Sequence, residues 1–416
     1  MKLYVFNPDT DMALANNEEN YMAPASACRM AQDLALLPVW YAQPGSAVLA
    51  PSAYNADYLQ KMKQLFPLSV QLVTEPELPD YAESQIVPWG WNRAFRKRMQ
   101  KAGIAQHKLP TEAELRECRM LSSRAYGMAL AMTFELNKTL KCVCGRHFLI
   151  SGEGKEFCVP DIVDDFKDGY LFKSVWSGSG KGLRWCRRGL TKSTADWCRR
   201  ELVNHGALIL EPIYKKEGDF AMEFYSNGRG KVLFSGYSHF ITDEKGVYRG
   251  NMLVSNEEVE QWILRYIPLE AFVCIRGYLQ KVIEGIYGRY YSGPMGIDMM
   301  ICPDQRGYPY AIYPHVEINV RMTMGMVARQ LYDNFVAPGS KGIFNVDNFP
   351  SAEALRTQHE QDMRDYPLIV EEGRIVSGYL ALVPVTPQSR YRAYVRVEVC
   401  LSLIHISEPT RPLYIS

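Results

Sequence analysis

The sequence predicts an α+β protein that begins with a small α/β domain. An alternating apolar segment, Lys2–Phe6, precedes a turn and a helical pattern over Pro24–Leu37, and this order is typical of a parallel sheet. From Gly169 onward, this alternation gives way to short strand patterns with glycine-rich turns, and a helical segment over Glu257–Ile286 interrupts the strands. Strands and helices that are grouped rather than strictly alternating indicate the α+β class.

The later elements follow in order along the chain. Thr111 is placed to cap a helix, with Glu112 and Glu114 in its first turn. A further helix is predicted over Met322–Asn334, and a polar connector follows Pro338. The predicted strands are Tyr170–Val175, Ala207–Pro212, Phe220–Tyr225, Lys231–Ser238, Gly296–Cys302, Tyr310–Ile318, Arg374–Val383 and Arg390–Val399.

The length of 416 residues allows two or three domains. We expect Leu401–Ser416 to be an artefact, because Leu401–Arg411 resembles the translation of a sequencing adapter; the alternative is a genuine terminal strand and loop. The native chain would then continue beyond Cys400. The predicted units are an α/β domain over 1–110, two α+β subdomains over 111–205 and 206–335, and a β extension over 336–400.

Composition excludes several classes of protein. Apolar residues make up 47% and charged residues 22%, as in an ordinary globular protein, and the net charge of +1 argues against a nucleic-acid coat. No apolar run approaches the ~20 residues of a membrane span. The start turns polar at Asn7, so we expect no export signal, a cytoplasmic location and reduced cysteines.

Two local features have a simple and a functional interpretation. The basic segment Trp91–Lys101 fits the solvated face of a helix better than a site for anions. The cluster of Cys142, Cys144 and Cys158 lacks a paired second motif, which favours incidental thiols over a zinc site.

A lysine and a glycine-rich turn form the first candidate site. Lys173 lies inside an apolar strand, where a lysine is rarely buried without a partner. The turn that follows is not a phosphate-binding P-loop, since Val175 and Gly182 stand where that motif needs Gly and Ser or Thr. It suits a flap over a triphosphate, and the alternative is a plain hairpin. The turn consists of Ser177, Gly178, Ser179, Gly180, Lys181 and Gly182.

Two further sets of polar residues follow. The strand that ends in Glu211, Pro212 and Ile213 could present backbone groups to an adenine edge, with Asp219 on a ribose, although a strand end with a turn explains it too. A second set is formed by Asp298 and by a strand with polar residues at alternate positions. Its Glu317 and Asn319 share one face and suit Mg²⁺ together with Asp298, while Arg321 could hold phosphate; a polar surface is the alternative.

These motifs in this order resemble the ATP-grasp superfamily over roughly residues 111–331. The preceding domain is similar to the pre-ATP-grasp domain of these enzymes, and Arg124 stands where many members have a nucleotide-binding lysine. The opening Asn7–Asp11 resembles uncharacterised bacterial members. The resemblance implies an ATP-grasp fold of two α+β subdomains that clasp ATP.

The resemblance also implies an activity and a role for each motif. A carboxylate would be activated by ATP as an acyl phosphate, which an amine or thiol then attacks. Lys173 and Lys181 would hold phosphates, Glu211, Pro212 and Ile213 the adenine, and Asp219 the ribose. Mg²⁺ would bind to Asp298, Glu317 and Asn319, and Arg321 would act with Lys181 in catalysis.

Alternatives to the ligase are a phosphotransferase on the same fold and a non-catalytic nucleotide binder. The expected partners are a small carboxylate and a small amine. For the acceptor end, the candidates are Asn7, Asp11, His239 and Arg249, although His239 also fits a structural histidine and Arg249 a solvated loop. Polar and aromatic groups around Tyr237–Phe240 and Tyr248–Asn251 could face it as well.

Overall fold

The computed structural model describes residues 1–152, 161–177, 182–243, 247–303 and 308–399. These residues form three β-sheets, one parallel and two antiparallel. The helices are grouped around them rather than alternating with the strands throughout, so the predicted α+β class is confirmed.

The first sheet is parallel and contains four strands in the order β3-β2-β1-β4. The predicted helix over Pro24–Leu37 is shorter than expected, since it ends at Asp33. A 3₁₀ turn at Leu37–Trp40 follows it, where Pro38 has no backbone N–H to donate. The elements of this part are β1 (Lys2–Val5), α1 (Thr10–Asn16), α2 (Ala25–Asp33), β2 (Ser46–Leu49), α3 (Asn55–Leu65), β3 (Val70–Val73), β4 (Gln85–Pro88) and α4 (Arg93–Lys101).

The basic segment is the helix α4, and its cations face acidic partners. Arg93 lies 3.2 Å from Glu112, and Lys97 lies 3.2 Å from Glu19. These pairs fit the solvated helix face that the sequence favoured. The capping role of Thr111 is confirmed, since its hydroxyl accepts from the backbone N–H of Glu114.

The second sheet contains four antiparallel strands in the order β5-β8-β6-β7. One of its faces packs against a helix, because Trp197 and Leu202 contact Phe172 and Leu210 of the strands. Met128 of another helix packs on Ile209 of the opposite face. The elements of this part are α5 (Glu112–Leu121), α6 (Arg124–Leu136), β5 (Phe148–Ser151), β6 (Tyr170–Ser174), β7 (Leu183–Cys186), α7 (Lys192–His205) and β8 (Ala207–Pro212).

The third sheet contains nine antiparallel strands in the order β13-β12-β9-β10-β11-β14-β17-β16-β15. The predicted helix over Glu257–Ile286 is two helices, which separate before Pro268. The elements are β9 (Gly218–Asn227), β10 (Val232–Thr242), β11 (Tyr248–Leu253), α8 (Asn256–Ile263), α9 (Leu269–Ile286), β12 (Ser292–Pro303), β13 (Tyr310–Asn319), α10 (Met324–Phe335), β14 (Ser340–Asn348), α11 (Ala352–Asp365), β15 (Ile369–Glu371), β16 (Arg374–Ala381) and β17 (Tyr391–Val399).

The two faces of this sheet differ in chemistry. Phe220, Met222 and Ile297 point to one face and pack with Ile275 and Leu279 of α9 in a buried core. Because side chains alternate along a strand, their neighbours in sequence point to the opposite face. That opposite face carries polar residues and forms the floor of the cleft described below.

The polar connector predicted after Pro338 is wrong, because the segment contains β14 and α11. β14 pairs with β11 on one side and β17 on the other, so the segment over 336–399 continues the sheet of the preceding subdomain. Most side chains of β14 are only partly buried, and its composition therefore resembles that of a loop. The domain boundaries themselves stay a prediction.

Among the described residues, the structure contains neither a membrane-spanning helix nor a cluster of metal-binding side chains. None of the helices that these residues form combines the length and the apolarity that crossing a membrane requires. Cys142 and Cys144 are buried, Cys158 lies outside the described residues, and no group of three His, Cys, Asp or Glu side chains within the described part could hold a metal ion.

A buried arginine holds the C-terminal strands together, and its removal is expected to destabilise the fold. The guanidinium of Arg392 donates to Asp362 at 2.6 Å, to Asp347 at 3.0 Å and to the Tyr379 hydroxyl at 3.1 Å. We expect Arg392→Met to lower the free energy of unfolding by ~3–5 kcal/mol, because it leaves two partly buried carboxylates without their cation. Urea denaturation measures this change.

The control for that variant is Arg396→Met on the same strand. Arg396 is partly exposed and lies 3.9 Å from Glu398, so we expect a loss below ~1 kcal/mol. Equal losses for the two variants would show that the buried cluster is not what joins β14, α11 and β17.

Candidate active site

A cleft of about 1290 Å³ opens between the second and third sheets, and the first domain closes one end of it. Its floor consists of alternate residues of neighbouring strands in the third sheet. Its opposite wall comes from β6, β8 and the start of α6. The floor residues that line the cleft are Asp219, Ala221, Glu223, Ser238, Phe240, Thr242, Asp298, Met300, Glu317 and Asn319.

The wall of the cleft carries a buried ion pair. The ammonium group of Lys173 lies 2.7 Å from Glu211 Oε2 and donates to the backbone oxygen of Val316 at 3.0 Å. Both side chains are 6% exposed. The lysine therefore has the partner that its place inside an apolar strand required.

Glu211, Pro212 and Ile213 all line the cleft, as expected for residues beside an adenine. The carboxylate of Glu211 is occupied by Lys173, and the backbone N–H of Ile213 donates to the oxygen of Gly169 at 3.0 Å. That N–H is therefore unavailable to a ligand, and hydrogen bonds to a base would have to come from other backbone groups nearby.

Arg124 links the wall to the floor. It is 6% exposed, begins α6, and donates to the oxygen of Ser174 at 2.8 Å and to Ser177 Oγ at 2.6 Å. Its other terminal nitrogen donates to Glu317 Oε1 at 2.6 Å. A guanidinium held by groups from both sheets is in place to meet an anion in the cleft.

Two carboxyl groups and an amide meet on the floor. Asp298 and Glu317 are paired residues of adjacent strands, and Asn319 donates to Asp298 Oδ2 at 3.2 Å. Burial and the nearby charge of Glu317 raise the pKa of Asp298 to about 7. A bound cation would relieve this repulsion, and carboxylate and amide oxygens are ligands that Mg²⁺ accepts.

Arg321 connects this floor to the first domain. It forms a two-pronged contact with Asp11, at 2.7 Å from each carboxylate oxygen, and donates to Asn319 Oδ1 at 2.9 Å. The prediction that Asp11 reaches the site from the end of β1 thus agrees with the structure. Because the pairing is planar and bidentate, it fixes the orientation of the guanidinium.

Asp219, the predicted ribose ligand, already has two partners. Its Oδ2 accepts from Lys216 Nζ and from the Thr242 hydroxyl at 2.6 Å. The same lysine also donates to Thr242. Asp219 lines the cleft beside these groups, so a hydroxyl of a ligand would join an existing polar cluster.

The glycine-rich turn is described only at its two ends. Gly178, Ser179, Gly180 and Lys181 lie outside the described residues. Ser177 lines the cleft, and Gly182 has a φ of +69°. A Cβ on Gly182 would lie 2.5 Å from Ser177 Oγ, so glycine is needed there for both its backbone conformation and its size.

Three acceptor candidates from the sequence do not line the cleft. His239 points to the other face of its strand and stacks on Trp262 at 4.2 Å, and burial lowers its pKa to about 4. Asn7 is buried and donates to the oxygen of Gly90 at 2.8 Å. Arg249 is exposed and pairs with Asp243 at 2.7 Å.

The neighbours of these candidates face the cleft instead. Ser238 and Phe240 line it on β10, and Tyr248 and Asn251 line it on β11. Alternation along a strand explains the error, since His239 lies between two residues that point inward.

Glu223 is the residue that the sequence analysis missed. It lies on β9 two positions beyond Ala221 and four beyond Asp219, so the period of a strand could have identified it. It is 1% exposed, and burial together with the charge of Asp298 raises its pKa to about 8.

The contact between Asp11 and Arg321 provides a test of how the first domain is joined to the site. We expect a coupling energy of ~1–3 kcal/mol between Asp11→Asn and Arg321→Gln, because two charge-assisted hydrogen bonds form in a partly buried place. Urea denaturation of the single and double variants measures it. For the pair Asp243 and Arg249, whose side chains are 26% and 63% exposed, we expect less than ~1 kcal/mol, and equal couplings would contradict the proposed role of the contact.

Comparison with known proteins gives structural matches only. No family model and no curated protein matches the sequence. Among solved structures, the chain is similar to N5-carboxyaminoimidazole synthetase from Staphylococcus aureus, with 9% identity, a TM-score of 0.44, and coverage of 95% of this chain and 93% of the other. Biotin carboxylase from Campylobacter jejuni matches with 10% identity, a TM-score of 0.47, and coverage of 96% and 87%.

A third match is the biotin carboxylase domain of 2-oxoglutarate carboxylase from Hydrogenobacter thermophilus, solved with MgADP, ADP and bicarbonate. It has 12% identity, a TM-score of 0.45, and coverage of 95% and 85%. In the present chain, two antiparallel sheets with their helices enclose one cleft, and a parallel α/β domain precedes them. This arrangement agrees with the one that the motifs predicted.

Proposed function

We propose that the protein is an ATP-dependent ligase that joins a small carboxylate to a small amine. The observation that carries the proposal is that Lys173 and Arg124 on one wall face Asp298, Glu317 and Asn319 on the floor of the same cleft. Cations opposite a set of oxygen ligands suit a nucleoside triphosphate with its metal ion. The resemblance found in the sequence assigns the same residues to ATP.

The nucleotide would lie between the second and third sheets. Lys173 and Arg124 would hold phosphate oxygens from the wall, with Lys181 and the turn of Ser177 to Gly182 above them. The adenine would lie against Glu211, Pro212 and Ile213, and the ribose against Asp219. Because Lys173 and Arg124 already bond to carboxylates, the phosphates would have to compete with these acids or share the cations with them.

Mg²⁺ fits the residues on the floor. Asp298 and Glu317 are held side by side, the pKa of Asp298 is raised to about 7, and Asn319 offers an amide oxygen. These three residues would hold the ion. When bound, Mg²⁺ neutralises charge on the phosphates and on the two carboxylates.

In the first step, an oxygen of the substrate carboxylate attacks the γ-phosphorus of ATP. The bond from that phosphorus to the β–γ bridging oxygen breaks, which gives an acyl phosphate and ADP. In the second step, the amine attacks the acyl carbon, the bond to the phosphate oxygen breaks, and phosphate leaves.

Arg321 would stabilise negative charge on the phosphoryl group during both steps, and Lys181 would assist it from the turn. The bidentate contact with Asp11 sets the direction of the Arg321 guanidinium before any substrate binds. Catalysis of this kind depends on positioning and electrostatics rather than on a protein nucleophile.

The experiment that tests the proposal is a screen for ADP release with MgATP, small carboxylates and amino acids. Hydroxylamine replaces the unknown amine, because it is uncharged at neutral pH and converts an acyl phosphate into a hydroxamate. ADP, phosphate and a hydroxamate would support a ligase. ADP with a phosphorylated product would favour a phosphotransferase, and nucleotide binding without any ADP release would favour a non-catalytic binder.

Loss of one floor ligand is expected to abolish turnover. We expect Glu317→Ala or Asn319→Ala to lower MgATP turnover by roughly 100-fold or more, while circular dichroism shows an intact fold, because a metal ion would lose one of its three ligands. The control is Glu371→Ala, an exposed acid on β15 that should leave turnover unchanged. Unchanged ATP consumption in either floor variant would refute the metal assignment.

Lys173 is expected to contribute to nucleotide affinity far more than a surface lysine. We expect Lys173→Ala to weaken ATP binding by roughly tenfold or more, because a buried cation beside the phosphates is lost. Calorimetric titration measures the affinity, and Lys97→Ala on the solvated face of α4 is the matched control. The double variant Lys173→Met with Glu211→Gln removes the buried pair without leaving an unpaired charge; equal affinities in all variants would contradict this placement.

A further inference from the structure

Glu223 lies in a space that glycines keep clear around its carboxyl group. Its paired residues on the two adjacent strands are Gly296 and Gly236. A Cβ on Gly296 would lie 2.7 Å from Glu223 Oε2, and a Cβ on Gly325 would lie 2.1 Å from Oε1. A side chain at Gly296 or Gly325 would therefore collide with the carboxyl group of Glu223, which borders the cleft.

The carboxyl group has a hydrogen-bond donor but no ion-pair partner among the described residues. Thr323 donates its hydroxyl to Oε2 at 2.9 Å. The nearest influences on its charge are Asp298, which opposes ionisation, and Arg321, which favours it but is bonded to Asp11. Tyr248, whose pKa burial and Glu223 raise, also faces it. A buried acid in such surroundings is stabilised by a cation that enters from the cleft.

We propose that Glu223 binds the ammonium group of the amine substrate, an inference that rests on the proposed ligase function. Ser238 borders the same space, since a Cβ on Gly325 would lie 2.5 Å from its hydroxyl oxygen. That oxygen accepts from Asn251 at 2.5 Å and keeps a second lone pair for another donor. An ammonium group, with three N–H donors, matches Glu223 and Ser238 together.

The position of Glu223 suits an attack on the acyl phosphate. It lies on β9, next to the strand that carries Asp298, and adjacent strands are ~4.8 Å apart. An ammonium nitrogen at Glu223 is therefore close to the phosphates that Asp298 and Glu317 face. An ammonium group has no lone pair, so one proton must first pass to solvent. The amine nitrogen then forms the bond to the acyl carbon, the bond from that carbon to the phosphate oxygen breaks, and the second proton passes to the departing phosphate.

The first domain supplies the wall beside this subsite. The backbone N–H of Met322, next to Thr323, donates to the oxygen of Trp89 at 3.0 Å. Trp89 and Met12 line the cleft from that domain. The acid that this domain adds to the cleft, Asp11, is already bonded to Arg321. A substituent of the amine that extends toward this domain would therefore meet mostly apolar side chains, which predicts an amine with an apolar or aromatic group rather than a second charge.

A metal ion is a less suitable occupant than an ammonium group. Among the residues that the structure describes, no three His, Cys, Asp or Glu side chains form a metal cluster, and this includes Glu223 with Asp298 and Glu317. Thr323 donates a proton to the Glu223 oxygen that a metal ion would need. Calorimetric titration with MgCl₂ separates the two occupants, since Glu223→Gln should leave Mg²⁺ affinity unchanged.

The direct test is amine binding by the full chain with a non-hydrolysable ATP analogue and Mg²⁺. The probes are the common amino acids and simple alkylamines, each compared with the analogue in which a hydroxyl replaces the amine. We expect Glu223→Gln, which keeps the shape and the Thr323 contact, to weaken the best amine by roughly 10- to 100-fold and to leave its hydroxyl analogue unaffected. Asp243→Asn, a cleft acid that is paired with Arg249, is the matched control.

Several results would overturn the assignment. They are an unchanged amine affinity in Glu223→Gln, the absence of any amine that binds, and a loss of Mg²⁺ affinity in that variant.

The hydroxamate assay separates this inference from the ligase proposal. Hydroxylamine carries no charge at neutral pH, so Glu223→Gln should still form hydroxamate while it loses ligation of the amine. If the unaltered protein forms no hydroxamate with any carboxylate, the ligase proposal fails, and the binding comparison still decides whether Glu223 holds an ammonium group.

Discussion

The strands β9, β10, β12 and β13 of the nine-stranded sheet bury one face against α8 and α9, and this single constraint determines which of their side chains face the cleft. Because Phe220, Met222 and Ile297 must stay in the core, the alternate residues of the same strands are turned toward the cleft. Asp219, Glu223 and Asp298 therefore come together without any local motif to place them. A shift of one residue in any of these strands would put acids in the core and apolar groups in the cleft, so the packing of α9 and the chemistry of the site are specified together.

Three cations of the cleft, among the residues that the structure describes, are held by acids before a ligand arrives. Lys173 pairs with Glu211, Arg124 with Glu317, and Arg321 with Asp11. Such pairs satisfy buried charges that would otherwise be costly, and they fix each cation in one orientation. A triphosphate would replace or share these partners, which makes binding an exchange of ion pairs rather than a simple gain. Glu223 and Asp298 are the cleft acids for which the described residues show no ion pair, and Asp298 is the one assigned to the metal ion. Glu223 is therefore the acid left for a charged substrate.

The sequence predicted the parts of the fold that carry a strong local signal. The strand Ala207–Pro212 and the cap at Thr111 agree with the structure to the residue, and Lys173 has the partner that its position demanded. The errors have two physical causes. β14 is half exposed, so its composition resembles a loop until its neighbours β11 and β17 are known. For His239 and Glu223 the error concerns which face of the sheet each side chain occupies. That choice of face depends on the packing of α8 and α9 rather than on residues nearby in sequence.

Two segments far apart in the chain line the cleft together with the strands that carry Lys173 and Asp298. They contribute Met12 and Trp89 from the first domain and Val346 and Tyr391 from β14 and β17. Strands β14 and β17 extend the floor of the cleft beyond β11. Asp11 binds Arg321, and the backbone oxygen of Trp89 accepts from Met322, shortly before α10 begins. A change in either segment would alter the shape of the acceptor end and leave Lys173 and Asp298 in place. Selection among amines would therefore depend on these two distant parts of the chain, and selection for ATP on the part between them.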